Sequence, residues 1–295
     1  MHHAGWGGII GRNSMRFKRN NIIVKGEKTF YWEKYPARKS VVVFLHGFPG
    51  SHKGLVELTD GFTGYHLIIP DLPACGMSEP LRTHHSLKNY TAWLNDFLTA
   101  LSVDRAIIVG HSFGARIALQ FSIDHPKKVE RLVLIAPVMK VDSFVGRLAT
   151  LYYKFGDLLP PYLQEVWSNN TMYRGVGHTI IYKSASRARR KRLIDMDSMD
   201  AKDIDGRIPV QVFDDFYKHP SIAGNKKINT KTLLIACDKD EIATPDSVEK
   251  LYRRFTNAKM EIMKNSGHLV ILERPIAVGA VIQKWLFGVR ITIEK

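Results

Sequence analysis

A pentapeptide of the form Gly-x-Ser-x-Gly places the strongest constraint on the fold of this chain. Gly110–Gly114 reads GHSFG and lies between a strand-like apolar run, Ala106–Val109, and a helical pattern over Ala115–Phe121. The pentapeptide alone occurs by chance in roughly one chain in ten of this length, so its context matters more than its letters. A serine at a cramped strand-to-helix turn needs small neighbours, and the following helix points free amides at developing negative charge. This context predicts that Ser112 is a nucleophile.

Short apolar runs rich in β-branched residues alternate with helical patterns along most of the chain. Apolar residues at three- and four-residue steps predict helices around Leu87–Leu101 and Val278–Leu286. The first two predicted strands form a hairpin, and the alternation of the others with helices predicts a mostly parallel sheet covered by helices on both faces. The eight predicted strands are Asn21–Val24, Thr29–Trp32, Val41–Leu45, His66–Pro70, Ala106–Val109, Leu132–Ile135, Thr232–Ile235 and Met260–Met263.

The alternation of strands and helices is interrupted once. Residues 138–228 are helix-like, rich in Tyr and Asp and strongly charged, which predicts a helical cap, or lid, inserted between the core segments 15–137 and 229–295. Residues 1–14 lack the continuous apolar stretch of a signal peptide and are interpreted as a disordered upstream extension. The aromatic side chains expected to roof a pocket over the serine are Tyr152, Tyr153, Trp167 and Tyr173.

A serine hydroxyl needs a base that accepts its proton, and the chain offers 12 histidines. His268 stands out because it follows a predicted strand, precedes the last helix and comes after both the serine and the acidic candidates. His111 adjoins the serine, but its side chain should point away from the nucleophile. A carboxylate must orient the base, and Asp238 and Asp240 share the loop after a predicted strand. The residues alone leave both open.

An oxyanion-binding loop is predicted after the strand VVVFL, where His46–Gly50 reads HGFPG. Pro49 has no N–H, so the amide of Phe48 is the natural donor in this loop. The residue after the nucleophile, Phe113, is expected to supply the second amide. His46 is expected to form local hydrogen bonds that support the loop.

Taken together, these motifs resemble the α/β-hydrolase superfamily, in its branch with an HGxPG loop, a GHSxG turn and a helical lid. The resemblance extends from about Phe17 over nearly the whole chain, and Asp71–Ser78 is similar to the family's D-x-P-x-x-G-x-S loop. The family's G-x-x-D motif aligns with Cys237–Asp240, with Cys237 in place of its glycine, and this alignment selects Asp240 as the acid.

The resemblance implies the α/β-hydrolase fold and an enzyme that cleaves carboxylic esters through an acyl-enzyme, without a metal or a cofactor. Simple carboxylesterases and monoacylglycerol lipases fit best. Epoxide hydrolases and haloalkane dehalogenases carry Asp at the nucleophile position, where this chain has Ser112. The alternatives that stay open are a C–C bond or lactone hydrolase, a cofactor-free haloperoxidase, and a ligand-binding member with little turnover.

The net charge of +15 favours contact with anionic partners. Its densest cluster, Lys183–Arg192, is interpreted either as a solvated helix face or as a contact for anionic lipid. Nucleic-acid binding is not expected, because no recognised module or interleaved aromatic residues accompany the charge. Cys75 and Cys237 are too few for a secreted disulfide framework, which predicts reduced thiols and a cytoplasmic location.

Overall fold

The chain is described by a computed structural model over residues 16–139, 151–152, 154–156, 158–168, 207–218 and 227–288. Within these residues, eight strands form one sheet in the order β1-β2-β4-β3-β5-β6-β7-β8. The strands are β1 (Lys18–Val24), β2 (Glu27–Lys34), β3 (Val41–Leu45), β4 (His66–Pro70), β5 (Ala106–His111), β6 (Val129–Ile135), β7 (Thr232–Cys237) and β8 (Ala258–Met263).

The sheet is antiparallel only at one edge. β1 pairs with β2, and β2 with β4, in antiparallel fashion, whereas all the other neighbouring strands are parallel. Strands β5 and β7 are buried along their whole length, because helices cover both faces of a parallel sheet. This double burial explains why their sequences are continuous apolar runs. The expected mostly parallel eight-stranded sheet is confirmed.

Helices lie on both faces of the sheet. The main α-helices of the described residues are α1 (Leu87–Ala100), α2 (Phe113–Asp124), α3 (Pro161–Ser168), α4 (Arg207–Lys218), α5 (Pro245–Tyr252), α6 (Val270–Glu273) and α7 (Pro275–Phe287). Alternate residues of β3 separate the two core clusters: Val43 packs with the cluster that contains α1 and α2, and Val42 with the cluster that contains α7. The sheet therefore holds the ends of its parallel strands in fixed positions between two cores.

Two of these helices, α3 and α4, fall within the predicted cap of residues 138–228. Helix α4 contacts the core, since Asp215 accepts a hydrogen bond from the amide of Leu87 at the start of α1 (3.1 Å). Gln211 accepts another from the amide of His85 (2.9 Å). The boundaries of the cap stay a prediction.

Two features singled out in the sequence, residues 1–14 and the basic segment Lys183–Arg192, lie outside the described residues. Among the helices that the structure does describe, none combines the length and the apolar character needed to cross a membrane.

Candidate active site

Ser112 lies at a sharp turn between β5 and α2, with a backbone φ of 53°. The turn brings main chains into contact: a Cβ at Gly114 would lie 2.3 Å from the carbonyl oxygen of Leu45, and one at Gly110 would lie 2.4 Å from the oxygen of Gly114. Only glycine fits these two positions. A positive φ at a serine is costly and is typical of a residue held for function. The pentapeptide therefore presents the serine hydroxyl at the end of the sheet.

The hydroxyl of Ser112 meets an imidazole from the other end of the chain. Its Oγ lies 2.9 Å from Nε2 of His268, which sits in the loop between β8 and α6. The other ring nitrogen, Nδ1, lies 2.8 Å from Oδ2 of Asp240. Because an ionised carboxylate only accepts hydrogen bonds, Nδ1 carries the proton and Nε2 offers its lone pair to the serine hydroxyl. The side chains at positions 112, 240 and 268 thus form one continuous hydrogen-bonded chain.

Asp240 is buried and held from two sides. Its Oδ1 accepts hydrogen bonds from the amides of Ile242 (2.8 Å) and Ala243 (2.9 Å), while Oδ2 contacts His268. Burial on its own would raise the pKa of this carboxyl, but the His268 ring and the two amides outweigh burial and lower the pKa below its ordinary value. The carboxylate is therefore ionised and fixed in direction.

Asp238, the other candidate acid, has a different partner. Its Oδ1 accepts a hydrogen bond from the amide of Ser266 (3.1 Å). Hydrogen bonds from the amides of Asn265 and Ser266 lower the pKa of its carboxyl. Asp238 holds the loop that carries His268, and Asp240 is the carboxylate that the structure brings to the ring.

His111 also contacts the loop of His268 rather than the serine hydroxyl. Its Nε2 donates to the backbone oxygen of His268 over 2.9 Å. Burial, together with the neighbouring His268, lowers the pKa of His111 to about 3, so this ring is neutral at ordinary pH. His111 therefore acts as a hydrogen-bond donor that holds the backbone of His268.

The two predicted oxyanion donors belong to the HGFPG loop and to the residue after the serine. A Cβ at Gly47 would lie 3.1 Å from Cβ of Ser112, so the loop that carries Phe48 passes directly beside Ser112. Phe113 is the first residue of α2, where helical amides have no partner in their own helix. The two Phe rings meet edge to face with centroids 6.1 Å apart.

Two histidines attach this loop to the residues that follow β4. His46 donates from Nδ1 to the oxygen of Gly47 (2.8 Å) and accepts at Nε2 from the amide of Leu72 (2.9 Å). His52 donates to Asp71 from both its amide (2.7 Å) and Nδ1 (2.9 Å). Burial opposes ionisation of Asp71, but His52 outweighs it and lowers the pKa of this carboxyl. The local support expected of His46 is present, whereas the His52–Asp71 contact was not anticipated from the sequence.

Among the described residues of the predicted cap, Phe216 of α4 packs beside the serine turn. The centroid of the Phe216 ring lies 5.6 Å from the centroid of the Phe113 ring. The guanidinium of Arg116 lies 4.4 Å from the same Phe216 centroid. The spacing of apolar residues in the sequence could have placed Phe216 on the apolar face of a helix. It could not have predicted which helix that face packs against.

The cap aromatics chosen from the sequence have other partners. The rings of Tyr152 and Trp167 stack with centroids 4.7 Å apart, and the Tyr152 hydroxyl donates to the backbone oxygen of Trp167. Together with Leu151 and Phe155 they line an open groove of about 440 Å³. Tyr153 and Tyr173 lie outside the described residues.

The chemistry available at this site is nucleophilic. A serine hydroxyl contacts one imidazole nitrogen, and a buried carboxylate contacts the other nitrogen of the same ring. The nearby Cys237 is a poor candidate for the nucleophile, because burial and the adjacent Asp240 raise the pKa of its thiol and disfavour the reactive thiolate. Within the ranges that the structure describes, His, Cys, Asp and Glu side chains form no group of three that could hold a metal ion.

Comparison with known proteins identifies the family to which this fold belongs. Residues 40–275 match a family model described as the alpha/beta hydrolase fold. Lipase 1 of Psychrobacter immobilis is 25% identical over 255 residues, which cover 85% of this chain and 78% of the lipase. Lipase 3 of Moraxella sp. (strain TA144) is 24% identical over 272 residues, with the same two shares. The crystal structure of MGS-M2, an alpha/beta hydrolase enzyme from a Medee basin deep-sea metagenome library, superposes with a TM-score of 0.78 at 20% identity, covering 94% of this chain and all of that one.

Proposed function

The chain belongs to the α/β-hydrolase family, and on that premise we propose that it is a serine hydrolase that cleaves carboxylic esters through an acyl-enzyme. The two lipase relatives support ester hydrolysis at the level of the family. In this proposal Ser112 is the nucleophile, His268 the base and Asp240 the acid.

The observation that carries the proposal is the continuous contact from the Ser112 hydroxyl to the carboxylate of Asp240. The Oγ–Nε2 distance and the Nδ1–Oδ2 distance are 2.9 Å and 2.8 Å, so both proton-transfer partners of His268 are within hydrogen-bond reach. A buried, ionised Asp240 stabilises the imidazolium that forms when His268 takes the serine proton. A structural role alone would not require this alignment of three polar groups at a strained turn.

The reaction follows from these positions. Oγ of Ser112 attacks the ester carbonyl carbon while its proton moves to Nε2 of His268, and the amides of Phe48 and Phe113 bind the resulting oxyanion. The tetrahedral intermediate collapses to an acyl-enzyme, and the alcohol leaves with the proton from His268. Water then attacks the acyl carbon, giving up a proton to His268, and release of the carboxylic acid restores the serine hydroxyl.

Turnover of a graded series of p-nitrophenyl esters tests the proposal. We expect hydrolysis of at least one chain length, loss of activity with a fluorophosphonate, and covalent labelling of the protein by that reagent. A lactone and a vinylogous diketone are assayed beside the esters, so exclusive turnover of either would replace ester hydrolysis with lactone or C–C bond hydrolysis. A protein that turns over none of these and takes up no label would contradict the proposal.

A contact with anionic lipid is a further part of the proposal. Large apolar side chains are exposed in the cap, with Leu158, Tyr162 and Leu151 at 81%, 71% and 67%. They lie in a chain with a net charge of +15. Exposed apolar groups combined with positive charge favour adsorption at anionic lipid surfaces. The cytoplasmic location stays a prediction.

A further inference from the structure

Three consecutive residues at the end of the β8–α6 loop each bind a different carboxylate. Two of these contacts use backbone amides and the third uses the imidazole. The pairs are Ser266 with Asp238 (3.1 Å), Gly267 with Glu273 (3.0 Å) and His268 with Asp240 (2.8 Å). The mechanism described above uses only the last of these pairs.

Burial separates the two backbone contacts. Glu273 is 7% exposed, Gly267 is buried, and Oε1 of Glu273 has no hydrogen-bond partner among the described residues. Ser266 is buried as well, but Asp238 is partly exposed, so the contact between Glu273 and Gly267 is the one in which both residues are buried. Losing this buried hydrogen bond carries the full cost of desolvation.

The position of the Glu273 carboxylate is set by the elements on either side of it. Glu273 ends α6, and Pro275 begins α7, whose apolar face packs into the core. The next residue, Arg274, donates from Nη1 to the backbone oxygen of Lys264 (3.0 Å) at the other end of the loop. The loop that carries His268 is therefore closed on itself by groups anchored in α6 and α7.

From this geometry we propose that Glu273 is a positioning residue for His268, an inference that rests on the function proposed above. Gly267 directly precedes His268, so the hydrogen bond from its amide to Glu273 fixes the direction in which the main chain enters the histidine. The ring must reach Ser112 and Asp240 at once, and both contacts are shorter than 3 Å. A small rotation of the backbone at Gly267 lengthens at least one of them.

The expected consequence is a slower chemical step with little change in substrate binding. Displacement of a catalytic group by about 1 Å costs on the order of 10²-fold in rate. Replacing Glu273 with leucine, which has similar bulk and no acceptor, should lower kcat by roughly 10- to 100-fold and leave KM within about threefold. The Glu273→Gln variant keeps an acceptor oxygen and should recover most of the lost kcat.

The test compares Glu273→Leu and Glu273→Gln with Glu249→Leu, which removes an exposed carboxylate from α5, outside the loop that carries His268. Four quantities are measured for each folded protein: kcat, KM, the rate of fluorophosphonate labelling, and the downfield proton resonance of Nδ1–H of His268. We expect Glu273→Leu to lower kcat and the labelling rate together and to broaden the resonance. The control Glu249→Leu should change kcat by less than about threefold, because the Glu249 carboxylate pairs with Arg253 at the surface.

Two results would overturn the positioning role. One is a Glu273→Leu protein that keeps kcat and a sharp Nδ1–H resonance while its melting temperature falls, because Glu273 would then stabilise the fold only. The other is a Glu273→Gln variant as impaired as Glu273→Leu. The resonance reports the position of His268 whether or not an ester is turned over. A wild-type protein that takes up no label therefore contradicts the proposed function, and the resonance still decides the role of Glu273.

Discussion

The Nδ1 atom of His268 lies 2.8 Å from Oδ2 of Asp240, whereas Asp238, two residues earlier, contacts a backbone amide. The two aspartates share a loop and a residue type, so a pair of matched variants separates them. Asp240→Asn removes the charge that orients and stabilises the imidazolium, and should lower kcat by at least about 10²-fold. Asp238→Asn should lower it far less. Steady-state kinetics on one ester measures both.

The order of these two effects is the informative outcome. A larger loss from Asp238→Asn than from Asp240→Asn would show that the acid has been assigned to the wrong carboxylate. Circular dichroism of both variants checks that each is folded when its kcat is measured.

His111 is predicted to make the protein less stable as the pH falls below neutral. Its pKa is about 3 in the folded protein and near 6.5 as a free side chain, so between these values only the unfolded chain takes up a proton. The contribution of His111 to the free energy of unfolding is therefore fully present above pH 6.5 and is lost as the pH falls towards 3. Between pH 7 and pH 5 the loss should be about 2 kcal/mol.

Urea unfolding of wild type and His111→Gln at pH 7, 6 and 5 measures this effect. Carboxylates with lowered pKa values, including Asp71 and Asp240, are ionised throughout that range and cancel between the two proteins. The wild-type free energy of unfolding should fall by about 2 kcal/mol more than that of the variant. Equal losses in the two proteins would mean that His111 is protonated in the folded state.

Phe216 is predicted to influence which acyl chains are accepted. Its ring lies against Phe113 beside the serine turn, so Phe216→Ala opens space next to the nucleophile. The ratio of kcat/KM between long and short esters should shift by about tenfold, in line with the loss of a few buried methylene contacts. Trp167→Ala also removes a cap aromatic, but one whose ring stacks on Tyr152.

The two variants Phe216→Ala and Trp167→Ala are compared after their rates are normalised to the concentration of active sites, which is titrated with a fluorophosphonate. A larger shift in Phe216→Ala than in Trp167→Ala supports a wall formed by α4. Uniform loss across all chain lengths in Phe216→Ala would instead assign the residue to packing alone.

The basic segment Lys183–Arg192 is predicted to contribute to binding of anionic lipid. Each basic residue near such a surface contributes about 1 kcal/mol, so replacing Arg189, Arg190 and Arg192 with Gln should weaken binding to phosphatidylglycerol vesicles more than tenfold at low salt. The difference should vanish at high salt, where screening removes the attraction.

A control with the same change in net charge uses surface residues outside the predicted cap. Arg38, Lys39 and Lys231 are exposed, and replacing them with Gln tests whether the overall charge of the protein explains the binding. Equal weakening in both triple variants, or no weakening in either, would identify Lys183–Arg192 as a solvated helix face.

The sequence was sufficient to predict the sheet because most of its strands are buried on both faces. The run VVVFL at β3 and the run LLIA in β7 are apolar throughout. The partly buried edge strand β8 was predicted only over its last four residues, Met260–Met263, since the exposed Lys259 interrupts the apolar pattern near its start. Strand ends depend on pairing with a neighbour, which local sequence does not encode.

Within the site, the candidate residues proposed from the sequence belong to short motifs. Ser112 and His268 are each marked by their immediate neighbours. Glu273 appears in the sequence as an ordinary acidic residue near a helix end, and its proposed role depends on the return of the chain to Gly267. The position of Phe216 beside the serine turn likewise depends on the packing of α4 against Phe113, which the local sequence does not reveal.

Removal of the Ser112 hydroxyl tests the central claim most directly. Ser112→Ala leaves the turn and the core packing intact but deletes the nucleophile, so ester hydrolysis should fall by at least about 10⁴-fold. A fluorophosphonate should label the wild-type protein and leave the variant unlabelled, with both proteins equally folded. Hydrolysis by Ser112→Ala within tenfold of wild type, in protein free of contaminating esterase, would contradict the assignment of Ser112 as the nucleophile.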